Sequence, residues 1–542
     1  MYTQTFKVII KNIFEEYKKS KTIYGISEWS FFKKKNKNKL DIFGENIETP
    51  IGPAAGPHTQ LTQNIITSYL VGGRFIELKT VQILEALDIA KPCIYAPDEG
   101  YNTEWSTELT LENAFDEYLK AWITIHFLDT LFNKNNHIAG SFIFNMSIGY
   151  NYEGIKSYKM QTFLGNMCNT QSSKSMKKYL QQLEDMVIKE HILDNTKFNI
   201  EKNNLHRILQ QIPNKISSSV TLSTMHGCPP DEIESICTHL LVEKKLNVFL
   251  KLNPTLLGYS AVRNILDNCG YNYIQLDKTL FDKDLNYKDA VNMLSRLTKI
   301  GNNINRSFGI KLTNTLACSN NTHVLQGEEV YLSGKALFPV SINLAYKLSQ
   351  DFDGRLPISF SGGINSLNIK DVFNTGIYPI TVATEILKPG GYLRLTGIAK
   401  ACEDSEGWDK KYIDVKALKK VAEDSLHSPY YHKNFRGEDI VLVGKPLPRY
   451  SCYIAPCVEA CPISQNIPEY IYLAGNKRYK EALKLIYGKN ALPNITGHIC
   501  DHQCMFNCTR LDYEGAVKIR EIKKIAANES YGLNLDQKSL HM

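Results

Sequence analysis

The sequence predicts an α/β protein: a (β/α)8 TIM barrel followed by a small all-α domain that gathers cysteines. Two observations carry this. Between Ile51 and about Ile398, short apolar runs rich in β-forming residues alternate eight times with longer helical patterns. Six of the thirteen cysteines then stand in the last sixth of the chain, as Cys452-x4-Cys457-x3-Cys461-Pro462 and Cys500-x3-Cys504-x3-Cys508.

Taken in order, residues 1–40 read as an amphipathic helix and a lysine-rich loop, within a helical extension expected over 1–44. Strands are expected at 51–55, 75–78, 142–146, 220–222, 248–252, 309–312, 358–360 and 380–383. Helices between them are expected at 113–132, 174–191, 231–244, 287–300, 341–350 and 368–374. A ninth run, 273–276, fits an inserted β-element or replaces 309–312 as the sixth strand. A doubly wound sheet is the competing architecture, but no G-x-G-x-x-G follows any of these strands. The barrel is placed at 45–405, the helical domain at 406–530 and a tail at 531–542; residues 467–487 read as one helix between the cysteine clusters, closed by Pro493.

The bulk composition narrows the class. Of 542 residues, 43% are hydrophobic and 22% charged, values of a soluble globular protein. No apolar run approaches the roughly 20 residues needed to cross a bilayer. Lys7, Lys11, Glu15 and Glu16 interrupt the N-terminal apolar positions, so no secretory leader is visible and a cytoplasmic location is expected. The formal net charge is +7, and its dense patch is Lys33, Lys34, Lys35, Lys37 and Lys39. That run reads as a solvated loop; no reader motif supports a nucleic-acid partner, and an anionic partner protein is the further option.

Thiolates at the spacings of the tail converge on soft metal. A Cys followed by Pro, after closely spaced cysteines, is the ferredoxin-like way of holding iron–sulfur clusters. Zinc is the rival, since closely spaced Cys pairs bind it, but zinc needs no Cys-Pro. Disulfides would need an oxidising compartment. Iron–sulfur ranks first, so the chain is expected to carry electrons, with Cys452, Cys457, Cys461, Cys500, Cys504 and Cys508 as metal ligands.

Barrel enzymes place their chemistry at the C-terminal ends of strands. Ala54, Ala55 and Gly56 follow the first strand, and such small residues let a flat ring approach the backbone. Lys79 ends the second strand, Asn145 the third, Lys251 the fifth and Asn314 the sixth; Thr224, His226 and Cys228 lie in the loop after the fourth. Gly362-Gly363 after the seventh strand, joined to Thr384 after the eighth, favours a phosphate site over a plain turn. Lys79 and Lys251 need an anionic or electron-rich partner, or else a salt bridge to a carboxylate.

At these residues the chain resembles the dihydroorotate and dihydropyrimidine dehydrogenase family of FMN barrels. The resemblance rests on Thr49-Pro-Ile-Gly-Pro-Ala-Ala-Gly-Pro-His, Gly72-Gly-Arg-Phe-Ile-Glu-Leu-Lys-Thr, Asn102-Thr-Glu104, Leu312-Thr-Asn-Thr, Ser333-Gly-Lys-Ala-Leu-Phe-Pro and Ser361-Gly-Gly-Ile. With Asn102-Thr-Glu-Trp-Ser-Thr-Glu-Leu109 it is similar, more narrowly, to flavoprotein subunits of the selenate reductase type. In those, an FMN-type barrel precedes a helical domain with two [4Fe-4S] clusters like that of the glutamate synthase small subunit. The resemblance implies FMN on Ala54, Ala55 and Gly56, with Lys79 and Lys251 at its ring and ribityl chain. Asn314 would stand by the ring or substrate, and Gly334, Gly362, Gly363 and Thr384 would hold the phosphate. Asn102, Glu104 and Asn145 would face the substrate.

Three departures qualify it. The family's catalytic Cys loop aligns with Leu222-Ser-Thr-Met-His226, so the acid position is Thr224, a poor proton donor, with His226 or Cys228 as replacements. The first cluster Cys is replaced by Arg449, and Lys523 stands where the second cluster's fourth ligand is a Gln or Glu. This implies three-thiolate clusters at Cys452, Cys457 and Cys508 and at Cys461, Cys500 and Cys504. Related longer chains continue into an FAD and NAD(P)H domain, so a fragment, or a subunit fed by a separate FAD/NAD(P)H-binding protein, is expected. The expected function is an oxidoreductase passing electrons from [4Fe-4S] clusters to FMN and a small oxidised substrate. A pyrimidine dehydrogenase and a non-catalytic electron-transfer subunit are the alternatives.

Overall fold

A computed structural model describes residues 3–83, 93–95, 109–132, 142–198, 200–223, 227–321, 325, 327–388, 390–433, 454–510 and 515–530. The first helix, α1 (Phe6–Ser20), shows why local pattern suffices at the start. Phe6, Ile9, Ile10, Ile13, Phe14 and Tyr17 recur at helical spacing and are all buried. Thr5 caps it, accepting from the Val8 N–H at 3.4 Å, and Lys18 and Lys19 occupy its last turn. The lysine run that follows carries no helix or strand.

The barrel strands are β1 (Ile51–Pro53), β2 (Phe75–Glu77), β3 (Ile143–Gly149), β4 (Ser219–Ser223), β5 (Asn247–Leu252), β6 (Phe308–Leu312), β7 (Ile358–Phe360) and β8 (Ile380–Val382). The sheet order is β1-β8-β7-β6-β5-β4-β3-β2, with every pairing parallel. Between β1 and β2, the Arg74 N–H donates to the Ile51 carbonyl at 2.8 Å, and the ring closes. Closure there needs Gly52: a Cβ would stand 1.8 Å from the Phe75 carbonyl oxygen. The sixth strand is 308–312; the competing run 273–276 makes only an isolated bridge, Gln275 to Ser319.

The N-terminal end of the barrel is capped by an antiparallel hairpin, Leu40–Ile42 with Glu45–Ile47. Its Phe43 ring lies 5.0 Å from Phe249, and the Ser218 hydroxyl donates to Glu45 at 2.6 Å. At the opposite end, Leu316–Ser319, Glu329–Leu332 and Ile94–Tyr95 form a small sheet absent from the sequence expectations. Helix α2 (Thr62–Leu70), buried throughout, follows the first strand-end loop. Its first turn has no local side-chain cap. Instead Glu117 reaches in, accepting from the Thr62 N–H at 2.8 Å and the Thr62 hydroxyl at 2.7 Å, and is paired with Lys120. That fixes where the loop from Ala54 to Leu61 can run. After β4 comes α3 (Pro230–Thr238), and α4 (Phe338–Asp351) packs against the helix Val415–His427.

The C-terminal helices are α5 (Pro456–Glu459), α6 (Ile467–Gly475), α7 (Tyr479–Tyr487), α8 (Pro493–Ile499), α9 (Gln503–Phe506) and α10 (Ile519–Glu529). The single helix expected over 467–487 is thus two, broken where Lys477 takes φ 57°. Their core is Ile467, Tyr470, Leu473, Ala482, Ile486, Ile519 and Ala526. This unit leans on the barrel at the Gly390–Leu393 segment after β8, where Tyr472 approaches Gly390, and on a short hairpin of Thr22–Ile23 with Ile26–Ser27. There Ser27 donates to Glu469 at 3.4 Å and the Arg478 guanidinium lies 5.0 Å from the Trp29 ring.

Candidate functional site

The barrel interior is polar where β2, β5, β6 and β8 meet. Alternate residues of these strands point inward, which brings Glu77, Lys251, Lys311 and Thr381 into one layer. Lys311 pairs with Glu77 at 2.9 Å and donates to the Thr381 hydroxyl at 2.6 Å. The Ala55 N–H donates to Glu77 at 3.1 Å, tying the first strand-end loop to this floor. Burial works to raise the Glu77 pKa, but Lys311 and Lys251 prevail and hold it below the usual carboxylate range. Burial pushes the Lys251 ammonium down to about 8, partly offset by Glu77 and reinforced by Lys311. The salt bridge weighed for a strand-end lysine therefore exists, but its lysine is Lys311. Neither Glu77 nor Lys311 was expected at the site. A charged residue inside each of two sealed strand runs was the signal available.

Above this floor the strand-end residues sort into three groups. Ala54 donates to the Val382 carbonyl at 2.8 Å and lines the mouth with Ala55 and Gly56. The ring folded over Gly56 is the chain's own His58: a Cβ at Gly56 would meet its Cε1 at 2.5 Å. His58 is 3% exposed and lies against the Ala54 backbone. Burial holds its pKa down to about 4, so it is neutral. Its carbonyl accepts from the Tyr392 hydroxyl at 3.0 Å, which in turn accepts from Asn64 at 2.8 Å. Lys79 is buried nearby, with its carbonyl bonded to the Tyr118 hydroxyl at 3.0 Å.

The second group is the glycine cradle. Gly334 and Gly363 take φ of 75° and 68°, and Gly362 takes 148°. A Cβ at Gly363 would stand 2.6 Å from the Gly334 carbonyl, so the two loops pack backbone to backbone. Ser333 and Thr384 join hydroxyls at 3.2 Å. Among the described residues the Gly362 and Gly363 N–H groups have no acceptor, which suits a bound anion.

The third group is a network around Asp284. It accepts from the Gly227 N–H at 2.9 Å, Asn253 at 3.2 Å and the Thr255 hydroxyl at 2.7 Å. Asn314 donates to Asn253 at 2.7 Å. Asp284 thus anchors the end of the loop that bears the candidate acids. Thr224 and His226, like Asn102, Glu104 and Cys452, lie outside the described residues. Cys228 donates from its thiol to Glu232 at 3.8 Å; burial first, then Glu232, push it up to about 11. Asn145, the register partner of Glu77 on β3, is fully buried, donating to Thr221 at 2.8 Å and accepting from Ser219 at 2.7 Å.

In the C-terminal unit, Cys457 is crowded by Cys508 and Cys504, and Cys504 by Cys461 and Cys500, around the buried Tyr470. Burial first, then these thiols, push Cys457 up to about 12 and Cys504 to about 11. Backbone N–H groups already point at sulfur: His502 to Cys500 at 3.4 Å and Val517 to Cys508 at 3.5 Å. Such donors are what cluster sulfurs use. Among the described residues no three His, Cys, Asp or Glu side chains are drawn in as for a single ion.

Comparison with known proteins agrees with this division. Residues 24–433 match the family profile described as oxidoreductase YgfK, N-terminal TIM-barrel domain. The chain belongs to that family. It is an oxidoreductase family. Residues 449–534 match dihydropyrimidine dehydrogenase domain II, 4Fe-4S cluster. The oxidoreductase YgfK of Escherichia coli (strain K12) is 52% identical over 526 residues, 97% of this chain and 51% of that protein. The chain therefore spans about half the length of this curated relative. Within the tail, the glutamate synthase [NADPH] small chain of Escherichia coli (strain K12) is 34% identical over 83 residues, covering 15% of this chain and 18% of that one. A ligand-free dihydroorotate dehydrogenase structure from Eimeria tenella aligns at 14% identity with a TM-score of 0.40, over 75% of this chain and 97% of its own, a likeness on which nothing here rests. No helix among the described residues is long and apolar enough to cross a membrane.

Proposed function

We propose that this chain is the iron–sulfur flavoprotein part of an oxidoreductase that moves electrons between [4Fe-4S] clusters, FMN and a small oxidised substrate. The observation that carries it is one end of the barrel: a charge-compensated floor, a small-residue wall and a glycine cradle open where the 4Fe-4S unit leans. FMN, when bound, would supply the two-electron to one-electron exchange that clusters and organic substrates need.

The chain's own residues would do the rest. Gly334, Gly362, Gly363 and Thr384 would hold the phosphate, and Ala54, Ala55 and Gly56 would bound the ring. Lys79 and Lys251 would place positive charge where the bound ring gains electrons. With its pKa held to about 8, the Lys251 Nζ gives up a proton more readily than an ordinary lysine. Glu77 and Lys311 keep that floor neutral as a pair and orient it. Asn102, Glu104 and Asn314 would line the substrate side. Cys461, Cys500 and Cys504 would hold one cluster, and Cys452, Cys457 and Cys508 the other.

The proposal keeps an extension to residue 44, a cluster domain ending at 530 and a tail. It moves the internal boundary from 405 to the 434–453 stretch, because the helix Val415–His427 packs on α4. A separate FAD/NAD(P)H-binding protein or module would feed the clusters.

A second reading, an electron-transfer unit without substrate chemistry of its own, is favoured by Cys228, whose thiol is committed to Glu232. Anaerobic purification with iron, sulfide and flavin analysis tests the first claim: iron–sulfur and FMN are expected together. Intact clusters without flavin absorbance would end it. Turnover assays with selenate, uracil and orotate then separate the substrate readings, and flavin reduction without any turnover favours the second.

A further inference from the structure

Helix α10 closes the C-terminal unit by packing on α6, α7 and α8. Its buried face is Ile519, Lys523, Ala526 and Ala527. A lysine in that company is anomalous. Lys523 is 5% exposed, and among the described residues it makes no hydrogen bond and no ion pair. Its neighbours on the helix show what it faces. The Arg520 guanidinium donates to the Cys500 carbonyl at 2.9 Å, and the Lys524 backbone lies against Gly497, where a Cβ would stand 3.1 Å from its Cα. The helix therefore runs along the segment from Gly497 to Cys504. The Cys504 sulfur lies within coulombic reach of the Lys523 ammonium.

A buried cation without a counter-charge is costly, and such groups persist only where an anion meets them. One thiol is a poor anion. An iron–sulfur cluster with thiolate ligands is a good one, and its potential responds to the charge around it. Resting on the cluster reading above, we infer that Lys523 is a positioning residue for the cluster at Cys461, Cys500 and Cys504: its ammonium is the counter-charge of that cluster and raises its reduction potential. The sign follows from electrostatics. Reduction adds negative charge to the cluster, and a nearby cation stabilises the more negative state.

The test is an EPR-monitored redox titration of the whole chain with both clusters in place. In Lys523→Met, iron content is expected to stay at the parent level. One midpoint potential should move to a more negative value while the other stays put, and Lys523→Arg should keep both. Two unchanged potentials in Lys523→Met would overturn the inference. Should Lys523→Met lose iron, Lys523→Arg decides: iron retained there supports a counter-charge, and iron lost there too makes the role one of packing and overturns it. A parent protein with no EPR-active cluster after reduction sinks the cluster reading itself, and Lys523 with it.

Discussion

In the barrel floor, Glu77, Lys311 and Lys251 meet within one ring of strands and compensate one another. In the C-terminal unit, Cys457, Cys461, Cys500, Cys504 and Cys508 meet in one shell and oppose one another. The first region carries both signs of charge: Glu77 pairs with Lys311, and the pair lies beside Lys251. The second does not. Deprotonated thiols in a buried shell repel, and a lysine beside them lacks a carboxylate among the described residues. What separates the two is whether the chain supplies both signs of charge. Where it supplies one, a metal must supply the other.

The largest expected break in this comparison comes from stripping the iron. Hydrogen exchange of the chelated protein should show protection collapsing across α6, α7 and α10, with β3 to β6 unchanged. Equal protection of the C-terminal helices with and without iron would erase the contrast. Next is Glu77→Gln, which leaves Lys311 buried beside a neutral amide. A loss of about 3–5 kcal/mol in urea denaturation is expected, with most of it recovered in the pair Glu77→Leu and Lys311→Met. A single-variant loss under about 1 kcal/mol would mean that the floor is hydrated and the pair unimportant.

A smaller effect sharpens the seam between the two regions. Glu469, on α6 beside Ser27, is pushed up by burial from 4.5 to about 7, with Ser27 and Arg478 pulling the other way. Its folded pKa lies above its unfolded one, so its stabilising contribution is whole below pH 4.5 and is lost as pH climbs through 7. The span corresponds to roughly 3 kcal/mol. Glu469→Gln should flatten the stability profile between pH 5 and 8, gaining most at pH 8. An identical slope in both proteins would place the titration elsewhere.

Much of the fold was legible because each barrel strand is a short apolar run with its own helix, and alternation alone then limits the architecture. The positions of Lys251, Gly362, Gly363 and Thr384 at strand ends were legible too, since each closely follows or ends an apolar run. The misses share a cause. Glu77 and Lys311 sit on strands that are not neighbours in the ring, so neither reveals the other locally. Asp284 acts from a segment outside every predicted element. The helix expected over 467–487 broke because one residue at Lys477 took a positive φ, which periodicity does not report.

The sequence by itself determined the alternation of strand and helix, the spacing of the cysteines and the glycines at strand ends, since each depends on residues close together along the chain. Only the tertiary structure decided which lysine would meet Glu77, that His58 would fold back over Gly56, and that Lys523 would fall on the buried face of α10. Charges and rings are assigned partners by distance in space, and closing a ring of eight strands sets those distances between residues far apart in the chain.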